Sequence, residues 1–478
     1  MKSPRRASFY TLGCRLNQAE TALIAETFRQ QGYEIAEHGS LVDVAVINTC
    51  SVTEHADQRC RQEIRKVRRQ SPEAVVCAVG CYAQADTDAV AGILGVDFVV
   101  GTDRKYALVE LISENAGQLL PAHVATHSRS GKEQILRFAQ DDRMGVSGAG
   151  NMSPLERNAQ TPDHRGGPII HVSSRPDTGD FDYPMAGYYP HSTRANIKIQ
   201  DGCDFCCAFC LLPRVRGAAR SRRMADVVAE GHELARRGHK ELVITGVNIG
   251  TYRHDGKTVT DLAWALSEIP GVERIRVSSI EPSTVGDDLL DWMASSPKAC
   301  RHLHLPLQSG DDSVLARMKR VYTTTEYARF IERAKTMMPD IGLGTDIIVG
   351  FPGETDREYE RTLRFVEDLP LSYLHVFSYS ERPKTAAAYY DAKNGPGRIK
   401  DRSGQMHEVA ARKKRAFFEE HIGRRVEVLF ETVDQDGWRK GFTGSYLRVG
   451  IEPQAAGENQ LAVVKVREKT NDFCVANT

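Results

Sequence analysis

The stretch IKIQDGCDFCCAFC, residues 197–210, decides how the rest of the sequence is interpreted. It ends an alternating apolar segment and places Cys203, Cys207 and Cys210 in a C-x3-C-x2-C spacing. Three thiolates at this spacing can hold a cubane iron–sulfur cluster and leave its fourth iron without a protein ligand. A structural zinc site is the alternative, but such sites prefer four closed ligands. Cys206 completes one C-x2-C pair and no second pair follows, so the spacing favours a cluster with an open iron.

Outward from these cysteines, residues 191–418 alternate short apolar strands with helical patterns. The six strand candidates are RANIKIQ, ELVITGV, RIRVSSI, HLHLPL, IGLGTDIIVGF and YLHVFSY. Helical patterns separate them, for example at 224–237 and 356–368. Six strands joined by helical crossovers suit an open or partial β/α barrel better than a flat sandwich. This segment is therefore predicted to form a partial, TIM-like (β/α)6 barrel.

Residues 1–120 are predicted to form a separate parallel α/β sheet domain, because four apolar runs alternate there with helical patterns. Cys14, Cys50 and Cys81 each follow one of these runs directly. Loops beyond the carboxyl ends of parallel strands carry working residues, so the three thiols can converge on one site. Cys77 lies four residues upstream of Cys81, roughly 13 Å away at strand rise, and is excluded. Three unrelated core cysteines remain the alternative.

Two further segments differ in composition. Residues 121–190 contain seven of the 20 prolines and eight of the 39 glycines, which predicts a mobile linker or insertion. Residues 419–478 contain the strand-like runs RRVEVLFETVD, GFTGSYLRVGI and LAVVKVRE, separated by glycine turns. Several short strands in so few residues predict a small C-terminal β-barrel.

Composition excludes several classes of protein. The chain has 478 residues, of which 41% are hydrophobic and 26% charged, so a wholly disordered protein is excluded. Its 63 basic and 63 acidic residues cancel, and only local basic clusters can indicate nucleic acid. Eleven cysteines, an odd number, do not suit a disulfide framework. No apolar run approaches the roughly 18 residues of a membrane span, and the N-terminus lacks a signal-peptide core. We expect a cytoplasmic protein with no membrane partner.

The stretch IKIQDGCDFCCAFCLLPRVRGAARSR resembles the cluster loop of radical S-adenosylmethionine (SAM) enzymes, and in particular of the methylthiotransferases. That resemblance covers nearly the whole chain except residues 121–190, and it implies a C-terminal RNA-binding barrel of the TRAM type. It implies a [4Fe-4S] cluster on Cys203, Cys207 and Cys210, whose open iron binds SAM and whose reductive chemistry yields the 5′-deoxyadenosyl radical. A second, sulfur-delivering [4Fe-4S] cluster is implied on Cys14, Cys50 and Cys81. Another SAM supplies the methyl group.

The same resemblance assigns five candidate SAM-binding residues. Phe209 precedes the last cysteine, and Glu241 in GHKELVITGVNIG is implied to contact the methionyl ammonium. Ser279 and Glu281 in RVSSIEP are expected to edge the same pocket. Gly350 in TDIIVGFPGET would allow the backbone to approach the adenosine closely.

The basic run PRVRGAARSRR follows the cysteines and contains no acidic residue. Such a run is usually a solvated face, but its position beside a proposed cofactor site favours phosphate contacts. Arg214, Arg216, Arg220 and Arg222 are therefore the predicted RNA-binding residues, and the anticodon stem-loop of tRNA is the implied partner. An electron donor such as flavodoxin or ferredoxin is implied as well.

The start of the chain resembles one branch of the family. YTLGCRLNQAET is similar to the branch that acts on threonylcarbamoyladenosine, whereas the isopentenyladenosine branch usually reads GCQMN and the ribosomal-protein branch GCPKN. The resemblance implies addition of a methylthio group to C2 of threonylcarbamoyladenosine beside the anticodon, at position 37. Isopentenyladenosine in tRNA and an aspartate of a ribosomal protein are the alternative substrates. A non-enzymatic iron–sulfur RNA-binding sensor is the remaining alternative. Cys206 departs from the family pattern.

Overall fold

A computed structural model describes residues 4–115, 167–176, 186–190 and 192–477. These residues form an N-terminal parallel sheet, a central β/α domain and a closed C-terminal β-barrel. The predicted fold class is therefore confirmed. Most of the segment 121–190, predicted to be a mobile linker, lies outside the described residues.

The N-terminal domain is one six-stranded sheet with helices on both faces. Its strands are β1 (Arg6–Thr11), β2 (Glu34–Ala36), β3 (Val44–Thr49), β4 (Val75–Gly80), β5 (Phe98–Val100) and β6 (Ile169–His171). Its helices are α1 (Arg15–Gln30), α2 (Glu54–Gln70), α3 (Cys81–Ala85), α4 (Thr87–Ala91) and α5 (Leu108–Glu114). All pairings are parallel, in the order β2-β1-β3-β4-β5-β6. Strand order reverses beside β1, which makes the edge between β1 and β3 the topological switch point of the sheet.

Strand β6 corrects the prediction that residues 121–190 are a linker throughout. Its three residues pair with β5 in parallel register, from Phe98–Ile169 to Val100–His171, and extend the N-terminal sheet. A strand of this length adds few apolar residues, so the surrounding prolines and glycines dominate the local composition. The edge of an existing sheet supplies the backbone partners that such a short strand cannot provide alone.

The central strands β3 and β4 are buried on both faces, which explains their nearly continuous apolar sequences. One hydrophobic cluster, which contains Cys60, packs α2 against the sheet. A second cluster, which contains Cys77, lies on the opposite face. The carboxyl ends of the strands lie between these two clusters, and the loops that follow them can form a site there.

The central domain has six parallel strands in two halves. They are β7 (Arg194–Lys198), β10 (Glu241–Thr245), β11 (Arg274–Val277), β12 (His302–His304), β13 (Gly342–Val349) and β14 (Tyr373–Ser378); a two-stranded ribbon, β8 (Gln200–Asp201) and β9 (Arg220–Ser221), follows β7. Pairing gives the orders β11-β10-β7 and β12-β13-β14. A parallel bridge between Ser279 and His304 joins the halves, so the six strands run in chain order around a partial barrel.

Helices cover the outside of this barrel. They are α7 (Met224–Arg236), α8 (Val259–Ser267), α9 (Asp287–Ser295), α10 (Asp312–Arg317), α11 (Thr324–Met337), α12 (Asp356–Asp368) and α13 (Pro396–Glu419). The largest hydrophobic cluster among the described residues lies between these helices and the strands. The short helix α6 (Leu212–Arg216) instead contacts the N-terminal domain, where Arg216 meets Glu20. Capping boxes at Thr323 and Thr355 fix where α11 and α12 begin.

The C-terminal domain is a closed five-stranded barrel that covers the bottom of the partial barrel. Its strands are β15 (Arg425–Val433), β16 (Arg439–Thr443), β17 (Arg448–Ile451), β18 (Leu461–Lys469) and β19 (Cys474–Asn477), closed in the order β15-β16-β17-β19-β18. Arg276 donates hydrogen bonds to the carbonyls of Thr443 at 3.0 Å and Gly444 at 3.1 Å. Within the described part of the chain, every helix is too short or too polar to cross a membrane.

Candidate active site

The cysteine loop, residues 202–210, follows the first barrel strand and the short ribbon. Gly202 has a φ of +70°, and a Cβ on it would lie 1.9 Å from the carbonyl oxygen of Ala218. Only glycine fits this turn, because a side chain would collide with backbone. The Cys203 N–H donates to the Gly217 carbonyl at 3.1 Å, which fixes the start of the loop against the chain that leaves it.

The far end of the cysteine loop is held by the other half of the barrel. The N–H of Ala208 donates to the Met318 carbonyl at 2.9 Å, and the Ala387 N–H donates to the Ala208 carbonyl at 2.8 Å. Phe209 packs against a small hydrophobic cluster that includes Ala208 and Met318. Its ring therefore anchors the loop, and its predicted contact with SAM stays a prediction.

The three spaced cysteines share one electrostatic environment. Burial raises the pKa of Cys203 and Cys207, and raises the pKa of Cys210 to about 12. The charge of Cys207 adds to the rise at both Cys203 and Cys210. Arg320 opposes this effect: its Nη1 lies 3.2 Å from the Cys207 sulfur. A metal deprotonates such thiols outright, and a neighbouring guanidinium stabilises the resulting thiolate. The donor set therefore fits a thiolate-bound cluster.

Glu281 belongs to this environment through Arg320. Both carboxylate oxygens of Glu281 accept hydrogen bonds from Arg320 Nη2 at 2.6 Å. Ser279 is exposed and forms the bridge between the two barrel halves. The structure thus connects Glu281 to the cysteine loop through Arg320. The SAM contacts of Ser279 and Glu281 stay predictions.

The structure contradicts the assignment of Glu241 to the SAM pocket. Glu241 is the first residue of β10 and pairs in register with Arg194, whereas Thr245 pairs with Lys198 at the end that leads to the cysteines. Four residues of strand separate the two ends by roughly 13 Å. The Glu241 carboxylate is fully buried and accepts a hydrogen bond from Arg276 Nε at 2.7 Å. It is a structural ion-pair partner at the barrel floor.

The structure gives a reason for the glycine at position 350 that differs from the predicted approach to the adenosine. It has a φ of +78°, and a Cβ on it would lie 2.5 Å from Cγ1 of Ile399 in α13. Its N–H donates to Glu354 at 2.8 Å. A helix of the same chain makes the close approach at this glycine, and the predicted contact of its backbone with the adenosine stays a prediction.

The strand-end cysteines, Cys14, Cys50 and Cys81, meet at the switch point of the N-terminal sheet. Cys14 follows β1, Cys50 follows β3 and Cys81 follows β4. Gly13 has a φ of +94°, and a Cβ on it would lie 2.7 Å from the Cys50 sulfur. Burial raises the pKa of Cys14 and raises that of Cys50 to about 12, and in both cases the charge of Cys81 adds to the effect. Three thiols at one sheet edge fit a second cluster.

The other cysteines near the two sites differ in position. Cys77 lies in the core on the opposite face of the sheet, as the spacing predicted. Cys60 on α2 is buried, with its sulfur 3.9 Å from the Cys50 carbonyl oxygen. Cys206 is exposed, with its sulfur 3.9 Å from the carbonyl oxygen of its neighbour Asp204. Sequence spacing did not reveal that Cys60 lies close to Cys50, because helix α2 runs back over the end of β3 and brings Cys60 there.

A buried ion network lies between the two cysteine sites. Its five members are Glu20 and Lys105 from the N-terminal domain and Lys198, Asp201 and Arg216 from the barrel. Glu20 lies within 2.6 Å of both lysines and accepts from Arg216 at 2.8 Å; Asp201 accepts from Lys198 at 2.7 Å and from Arg216 at 3.0 Å. Burial opposes ionisation of Glu20, but the three cations hold its pKa well below its usual value.

The charge of this network suits an anionic group at the strand-end cysteines. Three fully buried cations face two buried carboxylates, which leaves one positive charge in excess. Despite its burial, Arg216 has a pKa well above its usual value, because Cys81, Glu20 and Asp201 lie close to it. Buried charges need partners, and a cluster on three thiolates carries net negative charge. The network therefore fits a cluster at this edge.

Two of the four arginines predicted to contact RNA are instead buried in ion pairs. Arg216 belongs to the buried ion network, and Arg222 is buried in an ion pair with Glu230. Neither guanidinium can reach a phosphate. Arg220 is half-buried and lies 3.4 Å from Asp201, while Arg214 is exposed. Sequence alone could not separate these arginines, because their acidic partners come from distant segments.

A polar wall inside the barrel was missed at the sequence level. It consists of His304, Asp346, Tyr373 and His375 on the last three strands. His304 Nε2 lies 2.9 Å from Asp346 Oδ1, and His304 Nδ1 lies 3.1 Å from the Tyr373 hydroxyl. The alternation in HLHLPL, with leucines in the core, was the available signal, because it places its histidines on the opposite face.

Comparison with family models and solved structures agrees with this architecture. Residues 197–366 match the Radical SAM superfamily, and residues 6–101 match "Uncharacterized protein family UPF0004". A radical S-adenosylmethionine methyltransferase, TsrM from Kitasatospora setae, superposes with a TM-score of 0.55 at 15% identity, over 80% of this chain and 77% of that one. At that identity the likeness shows the fold alone.

Curated relatives cover almost the entire chain. Threonylcarbamoyladenosine tRNA methylthiotransferase MtaB of Bacillus subtilis is 32% identical over 92% of this chain and 89% of its own length. The Aquifex aeolicus protein of that name is 33% identical over 89% of this chain and 92% of its own. The tRNA-2-methylthio-N(6)-dimethylallyladenosine synthase of Ruegeria pomeroyi is 30% identical over 98% and 97%. With both cysteine sites in place, the chain belongs to the radical SAM methylthiotransferase family.

Proposed function

We propose that this enzyme acts on tRNA and adds a methylthio group to C2 of threonylcarbamoyladenosine beside the anticodon. The observation that carries the proposal is the meeting of two three-cysteine sites across one buried ion network. Relatives named for threonylcarbamoyladenosine match the chain at 32% and 33% identity over about nine-tenths of its length. A methylthio transfer needs a radical source and a sulfur source close together, and this architecture provides two such sites.

Each cysteine site would hold one [4Fe-4S] cluster. Cys203, Cys207 and Cys210 would bind the cluster whose open iron receives SAM, and Cys14, Cys50 and Cys81 would bind the sulfur-delivering cluster. When bound, the first supplies reductive cleavage of SAM and the second supplies the sulfur that a further SAM methylates. Thiolate donors with one iron left open suit both tasks.

The side chains around the cysteine loop position and shield this chemistry. Arg320 links Cys207 to Glu281, so that a shift of the loop would break two charge-assisted contacts. The buried ion network fixes Arg216 between Asp201, directly before the loop, and Glu20 on α1, which begins after Cys14. It therefore sets the distance between the two sites and excludes water from the region between them.

RNA recognition is assigned to exposed groups. Arg214 lies four residues after Cys210 and is exposed, so it remains a candidate phosphate contact. The closed C-terminal barrel, residues 425–477, is the proposed RNA-binding domain, beside a core of about 192–419 and an N-terminal domain that includes β6. A reduced flavodoxin or ferredoxin is the proposed electron donor, because SAM cleavage consumes one electron.

Mass spectrometry of nucleosides from total tRNA tests the proposal. A deletion strain should lose 2-methylthio-threonylcarbamoyladenosine and accumulate the unthiolated nucleoside, and a plasmid copy of the gene should restore it. A catalytically inactive Cys207→Ala copy is the matched control for expression of the protein. Persistence of that nucleoside in the deletion strain contradicts the proposal.

Isopentenyladenosine is the second candidate substrate. The observation that favours it is the Ruegeria pomeroyi relative, which matches 98% of this chain at 30% identity and is named for dimethylallyladenosine. The same measurement separates the candidates, since this alternative predicts loss of the 2-methylthio-isopentenyl nucleoside instead.

A further inference from the structure

Arg15 stands where the three domains meet. It begins α1 directly after Cys14, is half-buried, and donates from Nη2 to the Tyr446 hydroxyl at 2.7 Å. Its guanidinium lies 5.3 Å from the centre of the Tyr446 ring. Tyr446, at a loop tip of the C-terminal barrel, has a φ of +69°, a conformation that non-glycine residues rarely adopt. A strained tyrosine thus holds an arginine of the N-terminal domain at the barrel.

In the part of the chain that the structure describes, Arg15 lacks the glutamate partner that neutralises the charge of each neighbouring arginine. Two other arginines whose charge acts on Tyr446 each pair with a glutamate: Arg276 with Glu241 at 2.7 Å and Arg194 with Glu431 at 2.8 Å. Among the described residues, no carboxylate lies within ion-pair distance of Arg15, and its hydrogen bond is to a phenol. A half-buried guanidinium without a counter-ion indicates that an anion binds there.

The surroundings of Arg15 can hold a small polar group as well. The ring of Tyr446, which Arg15 contacts, lies 6.0 Å from the ring of Tyr373 in the polar wall. The side chain of His375 is 57% exposed, so the wall is open to the barrel interior. Asp346 is the acidic group of this wall, and it is engaged by His304 at 2.9 Å and faces His375 at 3.7 Å. The wall therefore offers hydrogen-bond donors and acceptors beside the guanidinium of Arg15.

The chemistry of the proposed substrate supplies a matching anion. The threonylcarbamoyl group carries a carboxylate, a hydroxyl and a urea on N6 of adenine. N6 and C2 both lie at the Watson–Crick edge of the base, so recognition of the substituent must occur close to the sulfur donor. Arg15 satisfies this condition, because it is the residue next to Cys14.

We propose that Arg15 binds the carboxylate of the threonylcarbamoyl group and that the polar wall receives its hydroxyl and urea. This inference rests on the proposed function. It makes Arg15 a specificity-determining residue, since an apolar N6 substituent would leave the guanidinium desolvated and unpaired. A phosphate of the RNA backbone is the other source of an anion for this guanidinium, and the test separates the two.

Fluorescence anisotropy with the reconstituted enzyme measures the preference directly. Three anticodon stem-loops are compared: one with threonylcarbamoyladenosine, one with its carboxylate converted to the methyl ester, and one with unmodified adenosine. The proteins are wild type, Arg15→Gln, Arg15→Lys and, as a matched surface control, Arg329→Gln on α11. Iron content is measured for each, because Arg15 adjoins a proposed cluster ligand.

We expect the wild type to bind the acid roughly 10- to 100-fold more tightly than the ester, the range of a hydrogen-bonded charge pair. Arg15→Gln should bind acid and ester equally, Arg15→Lys should keep part of the preference, and Arg329→Gln should match wild type. If Arg15→Gln retains full iron and the full preference for the acid, the inference is wrong. If it weakens all three RNAs equally, Arg15 binds a phosphate and the inference is wrong. A wild type that does not prefer the modified stem-loop to unmodified adenosine contradicts the proposed function instead.

Discussion

The cysteine loop and the strand-end cysteines offer the same donor set through opposite constructions. The loop gathers Cys203, Cys207 and Cys210 within eight consecutive residues, and one glycine turn with a few backbone hydrogen bonds fixes them. Cys14 and Cys81, in contrast, are 67 positions apart and meet only because a parallel sheet aligns its strand ends. A local site depends on a turn, whereas a dispersed site depends on an entire domain.

Because of this difference, we expect a cysteine substitution to affect the surrounding fold differently at the two sites. Loss of one loop cysteine leaves the surrounding barrel intact, because its large hydrophobic cluster does not include the loop. Of the strand-end cysteines, Cys50 and Cys81 are buried and Cys50 belongs to a hydrophobic cluster of the N-terminal domain, whereas Cys14 is exposed. The buried ion network couples the sites, so damage to the network should affect both sites through their relative position.

The largest expected effect follows from Cys207→Ala. Removal of this ligand should abolish SAM cleavage and methylthiolation together, by more than about 1,000-fold, equivalent to about 4 kcal/mol of barrier, since no other thiol occupies its place. Iron content should fall by about half. Product analysis for 5′-deoxyadenosine and iron quantification check this outcome, and a protein that still cleaves SAM would contradict the assignment of the loop.

Cys14→Ala should separate the two sites. The loop is unaffected, so SAM cleavage should stay within about threefold of wild type, less than 1 kcal/mol of barrier, while methylthio transfer is lost. Liquid chromatography of 5′-deoxyadenosine and of modified nucleosides from one reaction measures both quantities. Full methylthiolation by this variant would falsify the sulfur-delivering role of the strand-end cysteines.

Sequence reasoning succeeded where the determining interactions are local. Six barrel strands, the closed C-terminal barrel and the cysteine spacing follow from alternation, glycine turns and residue order. It failed where a distant partner decides the outcome. Arg216 and Arg222 read as a basic surface run, yet Glu20 and Glu230 draw both into the interior. The assignment of Glu241 to the SAM pocket was wrong for a related reason. A motif identifies a strand, but it does not tell which end of that strand carries the carboxylate.

Arg216→Met tests the coupling between the sites. It removes the guanidinium that donates to both Glu20 and Asp201, so each buried carboxylate loses one of its partners. Breaking such a buried pair costs about 3–5 kcal/mol. We expect a lower thermal midpoint and weaker docking of the N-terminal domain, seen as faster hydrogen exchange in α1. Arg214→Met is the matched control, because Arg214 is exposed two residues away and should change stability by less than about 0.5 kcal/mol. Equal effects of the two substitutions would contradict the network.

The smallest effect is expected from Cys206→Ser. Spacing alone leaves Cys206 as a competing ligand, since it forms a C-x2-C pair with Cys203. The structure turns it outward, with its sulfur near the Asp204 carbonyl, while Arg320 engages Cys207. Iron content, the spectrum of the reduced cluster and SAM cleavage should therefore all match wild type, with a stability change within about 0.5 kcal/mol. If the substitution lowered iron content, the loop would select its ligands by spacing alone, and the backbone contacts that orient it would not be what distinguishes one cysteine from the next.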